Sequence, residues 1–184
     1  GWIDLLSGLT PAVVDTTGHG WRIENGELFS PDGKYATLPL PGTFAATNYR
    51  LRLRVRQLEP KDAFHVVIPV GDRSTGFELD GFKGKYTGLF MVNEKGGKDL
   101  PGVVEGKQVK DSEPHDLEIT VRLDGTNATV TATLDAHPLY EWNGPISALS
   151  QYHRWATTPP GAIALGTVAG DWVVSEVKVK RLTK

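Results

Sequence analysis

The segment YRLRLRVRQL (residues 49–58) constrains the fold most, because apolar and basic residues alternate without interruption from Tyr49 to Arg56. In an extended strand, Leu51, Leu53 and Val55 would face one side and the four intervening arginines the other. A helix would scatter the same residues around its axis. The pattern therefore predicts a strand that lies between the protein core and solvent.

The same alternation recurs along most of the chain, whereas helical periodicity over ten or more residues is hard to find. About ten short strands separated by turn signals predict an all-β fold, a sandwich of two antiparallel sheets. We expect helix to make up less than about a fifth of the chain. The residues expected to line the core are Leu51, Leu53, Val55, Leu117, Ile119, Val121, Val177 and Val179.

Length and composition indicate one domain spanning residues 1–184, with 39% hydrophobic and 23% charged residues. The 20 basic and 22 acidic side chains nearly balance, so no overall charge directs the protein to nucleic acid. No apolar run approaches the roughly 18 residues of a membrane-spanning helix. The chain has no cysteine and no HExxH motif, so thiol chemistry and transition-metal catalysis are not expected.

One strand carries two acids on one face. In TGFELDGFKGKYTGLF (residues 75–90), Glu78 and Asp80 alternate with apolar residues. If AFHVVIPV pairs with this strand across the GDRST turn, His65 would lie beside both carboxylates. Such a face could be plain solvated surface, could hold sugar hydroxyl groups, or could supply catalytic acids. Carboxylates two residues apart on a strand fall within the roughly 5–9.5 Å range used in glycoside hydrolysis.

Aromatic residues in the later loops suit sugar recognition, which needs flat apolar surfaces beside planar polar groups. Tyr152 and Trp155 in QYHRW and the segment LYEWNG are the candidates to rim a groove over the acidic strand. A structural calcium ion held by oxygen ligands is a further, weaker alternative. The side chains available for it are Asp80, Asn93, Glu94 and Asp99.

The arginine stripe has two interpretations. Four arginines on one strand face could bind a sulfated glycan or phosphate. Glu118 and Glu176 lie on candidate neighbouring strands, however, and cross-strand ion pairs would neutralise the stripe. We expect pairing.

Several segments together resemble a known family. They are WIDLL, WRIENGEL, ELDGF, YTGLF, LYEWNGPISALS and VVSEVKVKRL. They resemble the concanavalin A-like, laminin-G-type jelly-roll domain abundant in planctomycete bacteria, alone or appended to other modules. A looser similarity is to the 3-keto-disaccharide hydrolase domain family, through a W-x-x-E-x-G-x-L hairpin at residues 21–28.

The resemblance implies a jelly roll whose concave sheet often binds glycans, and an extracytoplasmic location. Laminarinase-like glycosidases on this fold resemble the strand pattern E-x-D-x-x-E, but Lys83 stands here in place of the third acid, the proton donor. We therefore expect a noncatalytic carbohydrate-binding or interaction module; the alternative is a glycoside hydrolase-like enzyme that uses the same carboxylates. The predicted ligand-binding residues are His65, Glu78, Asp80, Tyr152 and Trp155.

Overall fold

The computed structural model describes residues 1–17, 20–32, 34–155 and 158–184. Strands dominate these residues, and helix accounts for 10% of the chain, which agrees with the predicted all-β fold. The strands are β1 (Ile3–Asp4), β2 (Arg22–Glu24), β3 (Glu27–Phe29), β4 (Lys34–Pro39), β5 (Tyr49–Gln57), β6 (Phe64–Val70), β7 (Arg73–Asp80), β8 (Tyr86–Phe90), β9 (Val104–Glu105), β10 (His115–Asp124), β11 (Asn127–Leu134), β12 (His137–Pro145), β13 (Ala164–Ala169) and β14 (Trp172–Arg181).

Helical segments are short and lie between strands. Helix α1 precedes the first hairpin, and the single turn α2 directly follows β7. Three 3-10 turns lie in the longer loops. The bounds are α1 (Pro11–Thr17), α2 (Gly81–Gly84), and the 3-10 turns Gly97–Asp99, Ile146–Ala148 and His153–Trp155.

The strands form two antiparallel sheets, as the alternation predicted. The first sheet has eight strands in the order β12-β11-β10-β5-β14-β3-β2, and β1 pairs with β14 beside this path. The second has six strands in the order β4-β13-β6-β7-β8-β9. Strands β5 and β14 are far apart in sequence yet pair in the first sheet. In the second sheet, β13 pairs with both β4 and β6, which come much earlier in the chain. Pairing between distant segments therefore completes both sheets.

The apolar stripes of the strands meet between the sheets. All eight residues predicted to line the core are at most 1% exposed. Tyr49 at the start of β5 is also buried there, and its hydroxyl donates to the carbonyl of Pro69 at 2.8 Å. The predicted register of the alternating strands is therefore confirmed.

The arginine stripe of β5 lies on the outer face of the eight-stranded sheet. Arg50 and Arg52 both pair with Glu118 on β10, at 3.3 and 3.0 Å. This cross-strand pairing was predicted. Glu176 instead pairs with Lys178 on its own strand, at 3.0 Å. Both residues point to the same outer face, since they are two positions apart.

Candidate functional site

The centre of the candidate site is a histidine–glutamate pair on the outer face of the six-stranded sheet. Antiparallel pairing of β6 with β7 places His65 directly opposite Glu78. The imidazole Nδ1 lies 3.3 Å from the Glu78 Oε1, within reach for donating a hydrogen bond. The expected proximity of His65 and Glu78 is therefore confirmed. The two side chains are only 1% and 7% exposed, however, because other residues cover them.

Two glycines make room for rings that lie flat on this sheet face. Gly76 is on β7, and a Cβ there would overlap the His65 ring and lie 2.5 Å from the Phe90 carbonyl oxygen. Gly166 is opposite His65 on β13, and a Cβ there would lie 2.5 Å from the Cζ3 atom of Trp155. Real Cβ atoms do not approach so closely, so both positions require the absence of a side chain.

Trp155 covers the histidine. The 3-10 turn at residues 153–155 brings its indole onto His65, with ring centroids 4.0 Å apart and planes only 9° from parallel. Tyr35 on β4 meets the edge of the same indole at 5.3 Å. Trp155 itself is 1% exposed. This loop therefore closes the middle of the sheet face and confines access to a cleft at its side.

The cleft has a volume of about 360 Å³ and an unusually aromatic wall. Phe82, Phe90, Tyr152 and Tyr35 follow one another, with ring centroids 5.9, 5.5 and 6.3 Å apart. The volume falls within the range of small-ligand sites. Its lining residues are Tyr35, Asp62, Glu78, Phe82, Phe90, Gly96, Asp99, Tyr152, Trp155 and Val168.

Three carboxylates face this wall, those of Asp62, Glu78 and Asp99. The Asp62 Oδ1 accepts backbone N–H groups of Ala63 at 2.8 Å and Lys83 at 3.2 Å. These bonds fix the orientation of its carboxylate. Planar acceptors beside aromatic faces form the combination that sugar recognition requires.

Phe82 is the most exposed aromatic residue of the cleft, at 45%. It projects from α2, where Phe82 and Lys83 both have left-handed backbone angles, with φ of 53° and 60°. A non-glycine residue in this region costs of order 1–3 kcal/mol, and such strain persists only where surrounding structure imposes it. Its ring lies over Gly97, where a Cβ would approach to 2.7 Å. The turn and the glycine together hold Phe82 at the cleft mouth.

Asp80 does not join the cleft. Its backbone is left-handed, with φ of 53°, so the alternation that places Glu78 on the outer face ends before Asp80. The side chain is 1% exposed, and its two carboxylate oxygens accept the backbone N–H groups of Gln108 at 2.8 Å and Val109 at 3.0 Å. Lys107 Nζ lies 3.5 Å away. The expectation that Asp80 is open to a groove is wrong: it anchors the loop after β9.

Of the other residues predicted from the sequence, some line the cleft and some do not. Of the two loops expected to rim the groove, QYHRW supplies Tyr152 and Trp155. LYEWNG belongs to β12 in the opposite sheet, and Tyr140 packs edge-on against Phe77 in the core, at 6.0 Å. His65 lies behind Trp155 and does not line the cleft.

One of the residues considered for calcium is already engaged within the protein. Asp80 is committed to two N–H donors and a lysine, as described above. Within residues 1–17, 20–32, 34–155 and 158–184, no three His, Asp or Glu side chains are grouped to hold a metal. In the same part of the chain, no helix is long and apolar enough to cross a membrane.

Comparisons with known proteins identify solved structures with a similar fold. Neither protein-family models nor curated proteins match the sequence. Among solved structures, the chain is similar to carbohydrate-binding module CBM66 from Bacillus subtilis (TM-score 0.56, 8% identity, 98% of this chain and 95% of that one). It is similar to the Ca²⁺-bound exoplasmic/lumenal domain of VIP36 (0.57, 10%, 99% and 90%). It is also similar to an endo-1,3-β-glucanase from Streptomyces sioyaensis (0.56, 12%, 90% and 80%). These similarities establish a concanavalin A-like jelly roll.

Proposed function

We propose that the protein is a noncatalytic carbohydrate-binding module that holds a glycan in the cleft beside Trp155. The observation that carries the proposal is the joint presence of an aromatic wall and three carboxylates in one cleft of about 360 Å³. The similar solved structures support it, since they include a carbohydrate-binding module and a lumenal domain of VIP36 with a bound mannose oligosaccharide.

The aromatic wall supplies the apolar part of binding. The C–H faces of a pyranose ring are apolar, and their burial against Phe82 or Tyr152 removes that surface from water. Phe82 is the most accessible of these residues because nearly half of its surface is exposed. Its ring packs edge-on against Phe90 and over Gly97, and a ring that is positioned before binding loses little conformational freedom when a ligand binds.

The carboxylates supply orientation. Glu78 is held by His65 through Oε1, and Asp62 is held by two backbone N–H groups. Acceptors whose positions are fixed before binding bond to hydroxyl groups with little further ordering. His65 and Trp155 are positioning residues in this proposal: the indole covers the imidazole, and the imidazole directs Glu78.

A glycan array followed by isothermal titration tests the proposal. We expect weak, reproducible binding to at least one oligosaccharide class, and we expect Tyr152→Ala and Phe82→Ala each to weaken it about tenfold or more. Trp2→Ala is the matched control, since Trp2 is an exposed aromatic that contacts Arg52 on the other sheet. Binding that Tyr152→Ala and Phe82→Ala leave intact would place the ligand elsewhere.

Incubation of the bound oligosaccharide with the protein for several days distinguishes binding from turnover. We expect the oligosaccharide to remain intact. Reproducible hydrolysis that is lost in Glu78→Gln would establish the alternative, a glycoside hydrolase-like enzyme.

We further propose that the domain works outside the cytoplasm and is attached to a larger protein. The sequence resemblance to planctomycete laminin-G-type domains supports the location, as does the exoplasmic/lumenal origin of the VIP36 domain. The attachment rests on the resemblance alone, since the domains that the chain resembles occur both alone and appended to other modules. Cell fractionation with an antibody against this domain tests the location, and the size of the detected protein tests the attachment.

A further inference from the structure

We infer that the cleft selects sugars that carry a free, positively charged amine over neutral sugars of the same ring geometry. This inference rests on the proposed carbohydrate-binding function and specifies its ligand class. It follows from the charge of the cleft: three of its ten lining residues are carboxylates, and the ten include no lysine or arginine.

Among the three acids, Glu78 gives the strongest evidence for a cationic ligand. Its side chain is only 9% exposed, yet it lines the cleft. Oε1 is engaged by His65, whereas no hydrogen bond within the described part of the chain engages Oε2. Oε2 therefore keeps contact with solvent in the cleft and can accept from an ammonium group, which supplies three donors and the opposite charge.

The remaining cleft residues favour a cation as well. Asp99 is exposed on the 3-10 turn that follows Gly96, and Asp62 keeps Oδ2 available, since its two N–H partners both bind Oδ1. The faces of tyrosine and phenylalanine rings also attract cations. One such contact is present in the protein, since the Arg154 guanidinium lies 4.8 Å from the Tyr35 ring centroid.

Two lysines near the cleft form ion pairs with acids outside it. Lys107 pairs with Asp80 at 3.5 Å and Asp111 at 3.3 Å. Lys61, which precedes Asp62, pairs with Asp171 at 2.8 Å. Because these ion pairs lie outside the cleft, neither lysine neutralises the negative charge of the three carboxylates that line it. An acidic or sulfated glycan would be repelled by the same charge.

The test compares two ligands that differ at one nitrogen of each ring, which carries a charged free amine in one and a neutral N-acetyl group in the other. Glucosamine oligosaccharides and their N-acetylated counterparts of equal length are titrated at about pH 6, below the usual pKa of an aliphatic amine. A charged hydrogen bond is roughly twice as strong as a neutral one, so we expect the free amine to bind about tenfold more tightly. The difference should shrink as salt screens the exposed Asp99.

Two isosteric variants connect the preference to the cleft. Asp99→Asn removes one charge at an exposed position, and we expect it to reduce the preference severalfold while binding of the N-acetylated ligand is retained. Glu113→Gln removes an exposed charge from the loop before β10 and should leave the preference unchanged.

The outcomes separate this inference from the proposed function. Equal or tighter binding of the N-acetylated ligand overturns the amine preference and leaves carbohydrate binding intact. A preference that Asp99→Asn and Glu113→Gln reduce equally is a nonspecific charge effect and also overturns it. Failure of both ligands to bind overturns the inference, and the glycan array then decides separately whether the protein binds another sugar.

Discussion

Replacement of Asp80 by asparagine separates a structural role of this residue from a ligand-binding one. Asn and Asp both tolerate the left-handed backbone that Asp80 adopts, with φ of 53°. The substitution therefore changes the carboxylate and little else. In the native protein, one oxygen accepts the N–H of Gln108 at 2.8 Å and the other accepts that of Val109 at 3.0 Å.

The expected cost follows from these two bonds. The asparagine side chain of the variant can accept only one of them, and its amide NH₂ then faces the other backbone N–H. A hydrogen bond to a charged group contributes about 1.5–3 kcal/mol, and a buried donor left unpaired costs about 1–3 kcal/mol. Lys107 loses little, since it is partly exposed and retains Gln57 at 2.7 Å and Asp111. We expect the free energy of unfolding to fall by about 3 kcal/mol.

Urea denaturation followed by tryptophan fluorescence measures this change, and a thermal midpoint about 6–12 °C lower should accompany it for a chain of this length. Asp99→Asn is the matched control: it is exposed, and we expect its effect to stay within about 0.5 kcal/mol. At temperatures where Asp80→Asn is folded, glycan affinity should change far less than in Glu78→Gln. Lost affinity with unchanged stability would refute the structural role.

Three further results are expected. Gly166→Ala should destabilise the fold by about 1–3 kcal/mol and shift tryptophan emission, because the new Cβ forces the Trp155 indole off His65; unchanged emission would contradict this. Burial raises the pKa of Tyr49 well above its usual value of 10. As pH rises above 10, the Tyr49 hydroxyl therefore ionises in the unfolded chain but not in the folded one, and folding stability should fall. Tyr49→Phe should make this fall less steep. Glu118→Gln should cost less than about 1 kcal/mol in urea denaturation, because its ion pairs with arginine are partly solvated.

Most of the fold was predictable from the sequence because strand alternation is a local property. Each apolar stripe, such as Leu51, Leu53 and Val55, needs only its own neighbours to define which side is buried. The residue composition predicted the positions of two hairpin turns to within one residue. The Asn25-Gly26 turn joins β2 and β3, and both residues have left-handed angles. The composition of Asp124-Gly125 predicts a turn there, whereas the loop between β10 and β11 is Gly125-Thr126, one residue later.

The candidate site was predictable only in part, since it is assembled from distant segments. His65 and Glu78 could be paired because one short turn connects their strands. Phe82, Asp62 and Asp99 could not be assigned to the cleft, because no alternation or motif connects their loops. The left-handed angles at residues 80, 82 and 83 also have no clear signal there, since none of these residues is glycine.

The position of Asp80 also bears on binding versus hydrolysis. A retaining glycosidase needs two carboxyl groups about 5–5.5 Å apart on either side of the scissile bond, one able to donate a proton. In this protein Asp80 lies outside the cleft and is bound to two N–H donors and Lys107, so it cannot reach a sugar held by Glu78. Lys83 replaces the third acid of the glycosidase pattern and contributes its backbone N–H to Asp62. The strand pair suited to hydrolysis is therefore already used to hold the fold together, which favours the proposed binding function over the hydrolase alternative.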